Sequence, residues 1–413
     1  MKQYDSYKDS GVEWIGKVPS HWKVVPFKRA ITINNGCDYK HVQVEEDGYP
    51  VIGSGGQFAW ASQYMYDGEV VLLGRKGTID KPLYYKGKFW TVDTMFYGIA
   101  KQNANCKYLF YQAKNIPFER YATATALPSM TQTDLNNNTI CLPPLKEQTS
   151  IATYLDKKCS EIDNVISAQQ KRIALLQELK QSIITHAVTK GLNPNVEMKD
   201  SGVEWIGDVP TCWNVMPIKH LAKTNSGSTP KNIKGKSNDE SVIKWVRTTD
   251  LSDMADYVYD SSEYLSKAEF GSASCPWLPK HTIVVAMYGG AGTIGKTGIL
   301  GIDATINQAL CSLETKSIEH YKYLFYTVKA LRPYWMKFAA SSRKDPNISQ
   351  DIIRNMKVVV PSYVEQEDIV DYLDRKCSSL DNSISKAQHQ VDLLQEYKQS
   401  LITEVVTGKR KVC

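Results

Sequence analysis

The 413-residue chain lacks the features that mark several classes of protein. No run approaches the roughly 20 apolar residues that a membrane-spanning helix needs. The first residues, MKQYDSYKDSG, lack the apolar stretch of a signal peptide. The nine cysteines form no C-x-x-C pair, which argues against zinc ribbons and thioredoxin-type redox sites. Because nine is an odd number, we expect an intracellular chain with reduced thiols.

Sequence patterns of catalysis are also missing. No G-x-S-x-G, H-E-x-x-H or EF-hand pattern occurs, and the seven histidines form no H-x-H or H-x₃-H pair. A net charge of +6 permits a polyanionic partner without requiring one. The sequence therefore predicts a chain that is not an enzyme, with no catalytic residue and no metal site.

An internal duplication organises what is present. Residues 8–16, KDSGVEWIG, recur unchanged at 199–207, an offset of 191. EQTSIATYLDKKCSEIDNVIS from Glu147 is matched by EQEDIVDYLDRKCSSLDNSIS from Glu365, an offset of 218. The chain is a tandem repeat of a VEWIG segment, a variable body and a helical tail. Because the flanks are kept and the bodies diverge, we expect a shared mechanical task for the flanks and different tasks of one kind for the bodies.

Both tails carry apolar residues at heptad spacing, which is typical of a coiled coil. The seam consists of Leu155, Ile162, Ile166, Ile173, Leu176 and Ile183 in the first tail and of Leu373, Leu380, Ile384, Val391, Leu394 and Leu401 in the second. Ser362 with Glu365 forms a capping box, and Gly191 and Gly408 supply stop signals. Since each seam needs a partner, antiparallel pairing of the two tails is predicted. The alternative is packing on the tail's own body or on another protein.

The bodies are predicted to be mixed α/β domains. EVVLLG (69–74) and TIVVAMYG (282–289) are short apolar runs typical of buried strands. Helical spacing of apolar residues predicts helices within 105–118 and 320–338. The predicted fold class is therefore α+β.

One pattern imitates a nucleotide-binding loop. Residues 290–297 match G-x-x-x-x-G-K-T, the phosphate-binding loop. The following GILGIDATIN is too rich in glycine and β-branched residues for the helix that would hold phosphates. The matching segment of the first body has Asp80 in place of the second glycine, and Pro82 follows its lysine. The shared element is a G-T-I-x-K turn between strands, and nucleotide binding is not expected.

Basic and polar residues in the bodies are candidates for DNA contacts, because lysine and arginine neutralise phosphates while arginine, asparagine and glutamine bond base edges. The candidates are Arg75, Lys76, Thr78 and Lys81 in the first body and Lys231, Lys234, Arg247, Thr293, Lys296, Arg343, Lys344, Asn347 and Gln350 in the second. Tyr84, Tyr85 and Trp90 stand beside the first group, together with Lys86 and Lys88. The alternative is that these lysines only keep the surface soluble.

The VEWIGxVPxxW motif, the repeated tails and the duplicated layout resemble the specificity (HsdS) subunit of type I restriction–modification systems. The resemblance implies two target recognition domains related by pseudo-two-fold symmetry and joined by two long antiparallel coiled-coil helices. Each domain would read one half of a split DNA sequence. The implied domains are recognition domains at 1–144 and 196–361 and spacer helices at 145–195 and 362–413. Asn307-Gln308 follows the second turn where the first body has Met95-Phe96, so a common contact there is not expected.

The resemblance also implies partners. They are double-stranded DNA and two methyltransferase subunits, joined by two restriction subunits in complexes that cleave DNA. S-adenosylmethionine, ATP and magnesium would belong to those subunits, with no cofactor in this chain. The setting would be phage defence in the cytoplasm of a bacterium or archaeon. Two other interpretations remain: a coiled-coil scaffold whose bodies bind protein or carbohydrate, and a stand-alone nuclease or NTPase.

The glycine-rich segment 290–297 is expected to contribute no ATPase activity. The isolated chain should not hydrolyse ATP, because no helix follows the glycine-rich turn to hold a phosphate. A phosphate-release assay on the wild-type chain and on Lys296→Ala should give the same background rate. ATP turnover by the wild type that is lost in the variant would contradict this expectation.

Overall fold

The computed structural model describes residues 3–121, 128–230, 242–290, 292–316, 321–339 and 346–412. The chain forms two compact units. The first unit comprises residues 1–170 with 389–413, and the second comprises residues 171–388. Each unit therefore contains one variable body and a part of both tails. No helix of the described ranges is long and apolar enough to cross a membrane.

The first copy is rich in strands and ends in a long helix. Its elements are β1 (Tyr7–Asp9), β2 (Lys17–Pro19), β3 (Lys23–Pro26), β4 (Ile31–Asn35), β5 (Gln43–Val44), β6 (Tyr49–Gly53), β7 (Gly56–Ala61), β8 (Tyr66–Gly74), β9 (Leu83–Thr91), β10 (Met95–Ala100), α1 (Cys106–Ala113), α2 (Gln132–Asn137), β11 (Thr139–Leu142) and α3 (Leu145–Lys190).

The second copy follows the same plan with a longer body. Its elements are β12 (Met198–Asp200), β13 (Asp208–Pro210), β14 (Asn214–Pro217), β15 (Ala222–Ser226), β16 (Ile243–Val246), β17 (Tyr257–Val258), β18 (Glu263–Leu265), α4 (Lys267–Ser272), β19 (Ile283–Ala286), β20 (Thr297–Leu300), β21 (Thr305–Ile306), β22 (Leu310–Thr315), α5 (Tyr321–Ala330), α6 (Arg332–Phe338), α7 (Gln350–Asn355), β23 (Lys357–Val360) and α8 (Tyr363–Val406).

The two bodies share a sheet order despite their divergent sequences. The first sheet runs β4-β10-β8-β9-β6-β7-β5, and the larger sheet of the second body runs β15-β22-β19-β20-β17. The series β15-β22-β19-β20 repeats β4-β10-β8-β9 in order and in antiparallel pairing. The strands predicted from EVVLLG and TIVVAMYG are confirmed as β8 and β19, both at the centre of these series. The predicted α+β class is confirmed.

One predicted helix is two helices. Apolar spacing suggests a single element within 320–338, whereas α5 ends at Ala330 and α6 begins at Arg332. Pro333 lies in the first turn of α6, where its missing N–H costs nothing. In the interior of one long helix the same proline would remove a hydrogen bond and clash with the preceding turn, so the chain restarts instead.

The tails form the two long helices that the heptads predict. α3 and α8 contain 46 and 44 residues, and a glycine with positive φ follows each of them, Gly191 at 78° and Gly408 at 75°. The predicted capping box is confirmed, because the Ser362 amide donates to Glu365 Oε2 at 3.2 Å and the Glu365 amide donates to Ser362 Oγ at 3.4 Å.

Lysine–aspartate pairs join the helices within each unit. In the first unit, Lys398 Nζ of α8 lies 2.6 Å from Asp163 of α3. In the second unit, Lys180 Nζ of α3 lies 2.7 Å from Asp381 of α8. The number of residues from Asp163 to Lys180 along α3 equals the number from Asp381 to Lys398 along α8. Both pairs therefore have the register expected of antiparallel helices.

The predicted seam residues lie on the covered side of the helices. Those that are buried are Leu155, Ile162, Ile166, Leu373, Ile384, Val391 and Leu401. Those that are half-buried are Ile173, Leu176, Ile183, Leu380 and Leu394. At the half-buried positions, fewer side chains pack over the helices than at the buried ones.

A tryptophan of the VEWIGxVPxxW motif fastens each body to the first turn of its own helix. The Trp22 indole donates to Glu147 Oε2 at 3.1 Å, and the Trp213 indole donates to Glu365 Oε1 at 3.1 Å. Burial acts to raise the pKa of Glu365, but hydrogen bonds from Ser362 and the Trp213 indole outweigh it and lower that pKa. Glu365 is therefore a carboxylate at neutral pH, as both donors require.

The two lysine–aspartate pairs predict unequal stability losses. Asp381→Ala leaves the ammonium of Lys180, which is only 8% exposed, without its partner. We expect a loss of about 2–3 kcal/mol in the free energy of unfolding. Asp163→Ala leaves Lys398, which is 21% exposed, and should cost about 1 kcal/mol.

Differential scanning calorimetry of the full chain measures both losses as shifts in Tm. Glu161→Ala is the control, because its partner Lys158 is on the same helix and both side chains are largely exposed. It should leave the Tm close to that of the wild type. Equal losses for the two aspartates would contradict the role of burial.

Candidate nucleic-acid interface

In the first body, the turn after β8 is held by backbone bonds on both sides. The Arg75 amide donates to Thr94 O at 2.8 Å, and the Arg75 carbonyl accepts from the Met130 amide at 3.0 Å. The Gly77 amide donates to Pro128 O at 2.9 Å. Ile79 anchors the end of the turn in the core. The backbone is thus fixed, while the side chains of Arg75, Lys76 and Lys81 are exposed.

In the second body, the turn after β19 is built in the same way. The Met287 carbonyl accepts from the Ile348 amide at 3.0 Å, as Arg75 does from Met130. The Lys296 amide donates to Thr293 O at 2.9 Å, and Ile294 is buried as Ile79 is. β20 follows at once and pairs antiparallel with β19. The described part of the segment is a strand–turn–strand, as the prediction of a G-T-I-x-K turn between strands requires.

The structure brings several of the predicted DNA-contact residues to these turns. Arg75, Lys76 and Thr78 share the first turn, and Thr293 and Lys296 share the second. Asn347 joins the second group, because its neighbour Ile348 is bonded to the turn. Four other candidates, Lys231, Lys234, Arg343 and Lys344, lie outside the described residues.

The Arg75 side chain is held in place by contacts that leave most of its hydrogen-bond donors free. One guanidinium nitrogen, Nη1, donates to Asp93 O at 3.3 Å, and the guanidinium carbon lies 5.8 Å from the centre of the Phe96 ring. Because the side chain is exposed, its other donors face solvent. A guanidinium held in this way can bond a guanine edge or a phosphate.

Arg247 lies apart from the second turn and has partners inside the body. Its Nη1 is 2.8 Å from Glu263 Oε1, and its Nη2 donates to Ser262 Oγ at 3.1 Å. The guanidinium carbon also lies 5.9 Å from the centre of the Trp245 ring. A contact with DNA would have to replace the ion pair with Glu263, so this residue is the less available of the two arginines.

Gln350 uses its side-chain amide to hold a strand. Its Nε2 donates to Thr224 O of β15 at 2.8 Å. Gln132, at the matching place in the first body, donates to Ile33 O of β4 at 2.6 Å. Since both glutamines open the first turn of a short helix and make the same bond, the described contact of Gln350 is structural.

Exposed aromatic side chains were missed by the sequence argument. Phe58 and Trp60 of β7 are exposed, and so are Tyr259 and Trp277 in the second body. The alternation in GQFAWA, which places Phe58 and Trp60 on one face of a strand, was the signal available. Trp90, which stands near the first group of candidates in the sequence, is buried, and its indole donates to Cys37 O at 3.1 Å.

The sequence match of Asn307-Gln308 with Met95-Phe96 is wrong. The Leu310 carbonyl accepts from the Gly227 amide at 3.4 Å, as the Met95 carbonyl accepts from Gly36 at 3.0 Å. Met95 therefore corresponds to Leu310, and Val92-Asp93 stand opposite Asn307-Gln308. The G-T-I-x-K turns match at an offset of 215, and the same offset already pairs Asn307 with Val92, so the error was a departure from that offset.

Four buried thiols are poorly suited to nucleophilic chemistry. Burial raises the pKa of Cys106, Cys141 and Cys311 to about 12 and that of Cys377 to about 11. These groups stay protonated at neutral pH. Across the described ranges, no group of three or more His, Cys, Asp or Glu side chains is arranged to hold a metal ion.

Comparison with known proteins identifies the family. The sequence family described as "Type I restriction modification DNA specificity domain" matches residues 19–176 and 210–390. The chain is 25% identical to the type I restriction enzyme MjaVIII specificity subunit of Methanocaldococcus jannaschii, over 74% of this chain and 70% of that protein. It is 19% identical to the EcoDI specificity subunit of Escherichia coli, over 95% of this chain and 90% of that one.

A solved structure shares the fold. It comes from work on complex assembly and conformational transition of the type I R-M system, and it matches with a TM-score of 0.66 at 14% identity. The match covers 94% of this chain and 98% of that chain. Since the family pattern covers both copies and most of the chain, this protein belongs to the specificity subunits of type I restriction–modification systems, the non-catalytic subunits that recognise DNA sequence.

Proposed function

We propose that each body reads one half of a bipartite DNA sequence and that α3 and α8 set the length of the unread gap. The observation that supports this division is the pair of matched turns. Arg75 and Lys76 follow β8 in the first body, whereas Met287 and Tyr288 follow the matching strand β19 in the second. Thr78 and Lys81 recur as Thr293 and Lys296, so the frame is shared and the side chains at its start differ. One frame with two sets of side chains suits two reading heads for different sequences.

The long helices suit a spacer because they are rigid and of the right scale. At about 1.5 Å per residue, helices of 46 and 44 residues extend roughly 65–70 Å. Successive major grooves on one face of a duplex recur about every 34 Å. A paired helix holds a fixed length, whereas a flexible linker would allow many gaps.

The remaining activities of the complex are assigned to other subunits. Two methyltransferase subunits dock along α3 and α8 and carry S-adenosylmethionine. Restriction subunits, where two are present, carry ATP and magnesium. This chain contributes DNA recognition and a scaffold, in the cytoplasm of a bacterium or archaeon where its DNA target lies.

Substitutions in one body should alter the recognition of one half-site only. Lys76→Ala should act on the half read by the first body and Asn347→Ala on the other half. A lost base contact costs about 1–3 kcal/mol at one position, whereas a lost phosphate contact weakens all sequences and lowers the salt slope. Selection from duplexes randomised in one half at a time, at two salt concentrations, separates these effects.

Lys146→Ala is the matched control for that experiment. Lys146 is an exposed lysine of α3, outside both bodies, and its counterpart in the second copy is Val364. The control should leave both half-sequences and the affinity unchanged. If Lys76→Ala relaxed both halves equally, the division into two reading heads would be untenable.

Lengthening the helix should lengthen the gap. Four residues inserted after Gln169 add roughly 6 Å to α3, about one turn, and the heptad pattern absorbs part of this stutter. Since the duplex advances about 3.4 Å per base pair, the gap should grow by one or two base pairs with both half-sequences unchanged. Methylation mapping of the assembled complex measures the gap.

The control insertion places the same four residues after Asn193, beyond the end of α3 at Lys190. It adds the same mass to the chain without extending the helix, and the original gap should persist. An unchanged gap in the Gln169 insertion, or changed half-sequences, would refute the spacer role.

A further inference from the structure

Each long helix exposes a pair of large apolar side chains at the same place. Leu175 and Leu179 of α3 are 65% and 48% exposed. Leu393 and Tyr397 of α8 are 49% and 51% exposed. The spacing of four residues puts both members of a pair on one face of the helix. The pairs belong to different units, α3's to the second and α8's to the first.

The first member of each pair, Leu175 and Leu393, is identical across the duplication, and Leu179 is matched by the large apolar side chain of Tyr397. LLQELKQSIIT of α3 and LLQEYKQSLIT of α8 match at an offset of 218. Buried positions of this segment, such as Ile184 and Ile402, are apolar because they pack within the protein. Packing gives no such reason for Leu175 and Leu393, which extend into solvent. An exposed leucine kept in both copies, while the bodies diverged, points to a partner that covers it.

Of the other exposed apolar residues of the helices, Leu145 and Tyr363 match at the helix starts without being identical, and the two exposed valines have no apolar match. Val165 is 47% exposed, and the matching residue of α8 is Ser383. Val364 is 65% exposed, and the matching residue of α3 is Lys146. Scattered surface apolar residues of this kind need no partner.

A carboxylate accompanies each pair. Glu178 and Glu396 are exposed, stand three residues after Leu175 and Leu393, and share their face of the helix. Neither forms an ion pair with any residue in the described ranges. Their charge disfavours DNA as the occupant, because phosphates would be repelled. It also disfavours a second copy of this chain pairing patch to patch, because that would bring like charges together.

A groove continues the patch in the second unit. It has a volume of about 490 Å³ and is lined by residues that include Glu178, Ser182, His186, Lys190 and Trp205. From Leu175 to Lys190 the exposed face of α3 extends roughly 22 Å at about 1.5 Å per residue. This length suits an apolar helix of about 15 residues lying along α3.

We propose that Leu175, Glu178 and Leu179 form one docking patch, and that Leu393, Glu396 and Tyr397 form its duplicate. Each binds one methyltransferase subunit through an apolar helical surface with a lysine or arginine facing the carboxylate. The inference rests on the proposed docking of those subunits along the long helices, and it names the residues that bear it. Two equivalent patches on one chain account for two identical partners.

The test uses the full chain and the methyltransferase subunit of the same system, observed by native mass spectrometry and titration. The wild type should bind two subunits. Leu175→Ser and Leu393→Ser should each weaken one site by about 10- to 100-fold and leave a one-to-one complex. The double variant should weaken both sites. Val165→Ser, an exposed apolar residue outside the patches, should bind two subunits as the wild type does.

A charge reversal separates docking from misfolding. Glu178→Lys with Glu396→Lys changes only exposed side chains, so folding measured by circular dichroism should be unchanged. Methyltransferase binding should weaken by about tenfold or more at low salt and recover partly at high salt.

The results can separate two hypotheses: that these residues form the docking patch, and that methyltransferase subunits dock on the long helices at all. Wild-type affinity of the double serine variant for two subunits would overturn the patch and leave docking elsewhere on the helices intact. A wild-type chain that binds no methyltransferase subunit would overturn both. A wild-type dimer in sedimentation that the double variant dissolves would replace the methyltransferase with a second copy as the occupant.

Discussion

The seam between α3 and α8 is the constraint on which both units depend. Each body packs on its own helix and also on the end of the helix from the other copy. In the first unit, Gln112 reaches the carbonyl of Val406, and in the second, Tyr323 reaches that of Val188. Both bonds are buried. If either helix separated from the other, the body beside it would lose buried hydrogen-bond partners and the apolar side chains that shield its core from water. Loss of helix pairing would therefore destabilise both bodies.

The helical frame could be predicted from the sequence because its signals are local and repeated. Heptads sustained in two copies fix the helices, and the glycines and the capping box fix their ends to within a few residues. Pro333 was equally visible, but apolar spacing alone concealed the break that it causes. The bonds from Trp22 and Trp213 to the helix starts were not predictable, since a motif states which residues recur and not what they touch.

The candidate interface was less predictable because a charge in a sequence does not reveal its partner. Arg247 was a reasonable DNA contact until the fold placed Glu263 beside it, and Lys86 has Glu69 as a neighbour across a strand pair. The matched turns were found from a shared G-T-I-x-K pattern. The first turn bonds to Met130 and the second to Ile348, and the second bond is what places Asn347 beside its turn. Both bonds join segments far apart in the chain, so the sequence could not reveal them.

The composition of the first unit has a consequence for synthesis of the protein. Residues 171–388 form the second unit without interruption, whereas the first unit needs residues 389–413 to close. The bond between Gln112 and Val406 joins groups 294 positions apart. At about 5–20 residues per second, the ribosome takes roughly 15–60 seconds to make that stretch. The body that emerges first is thus completed last, and a chain terminated early would carry a finished second unit beside a first body whose core is still open to water.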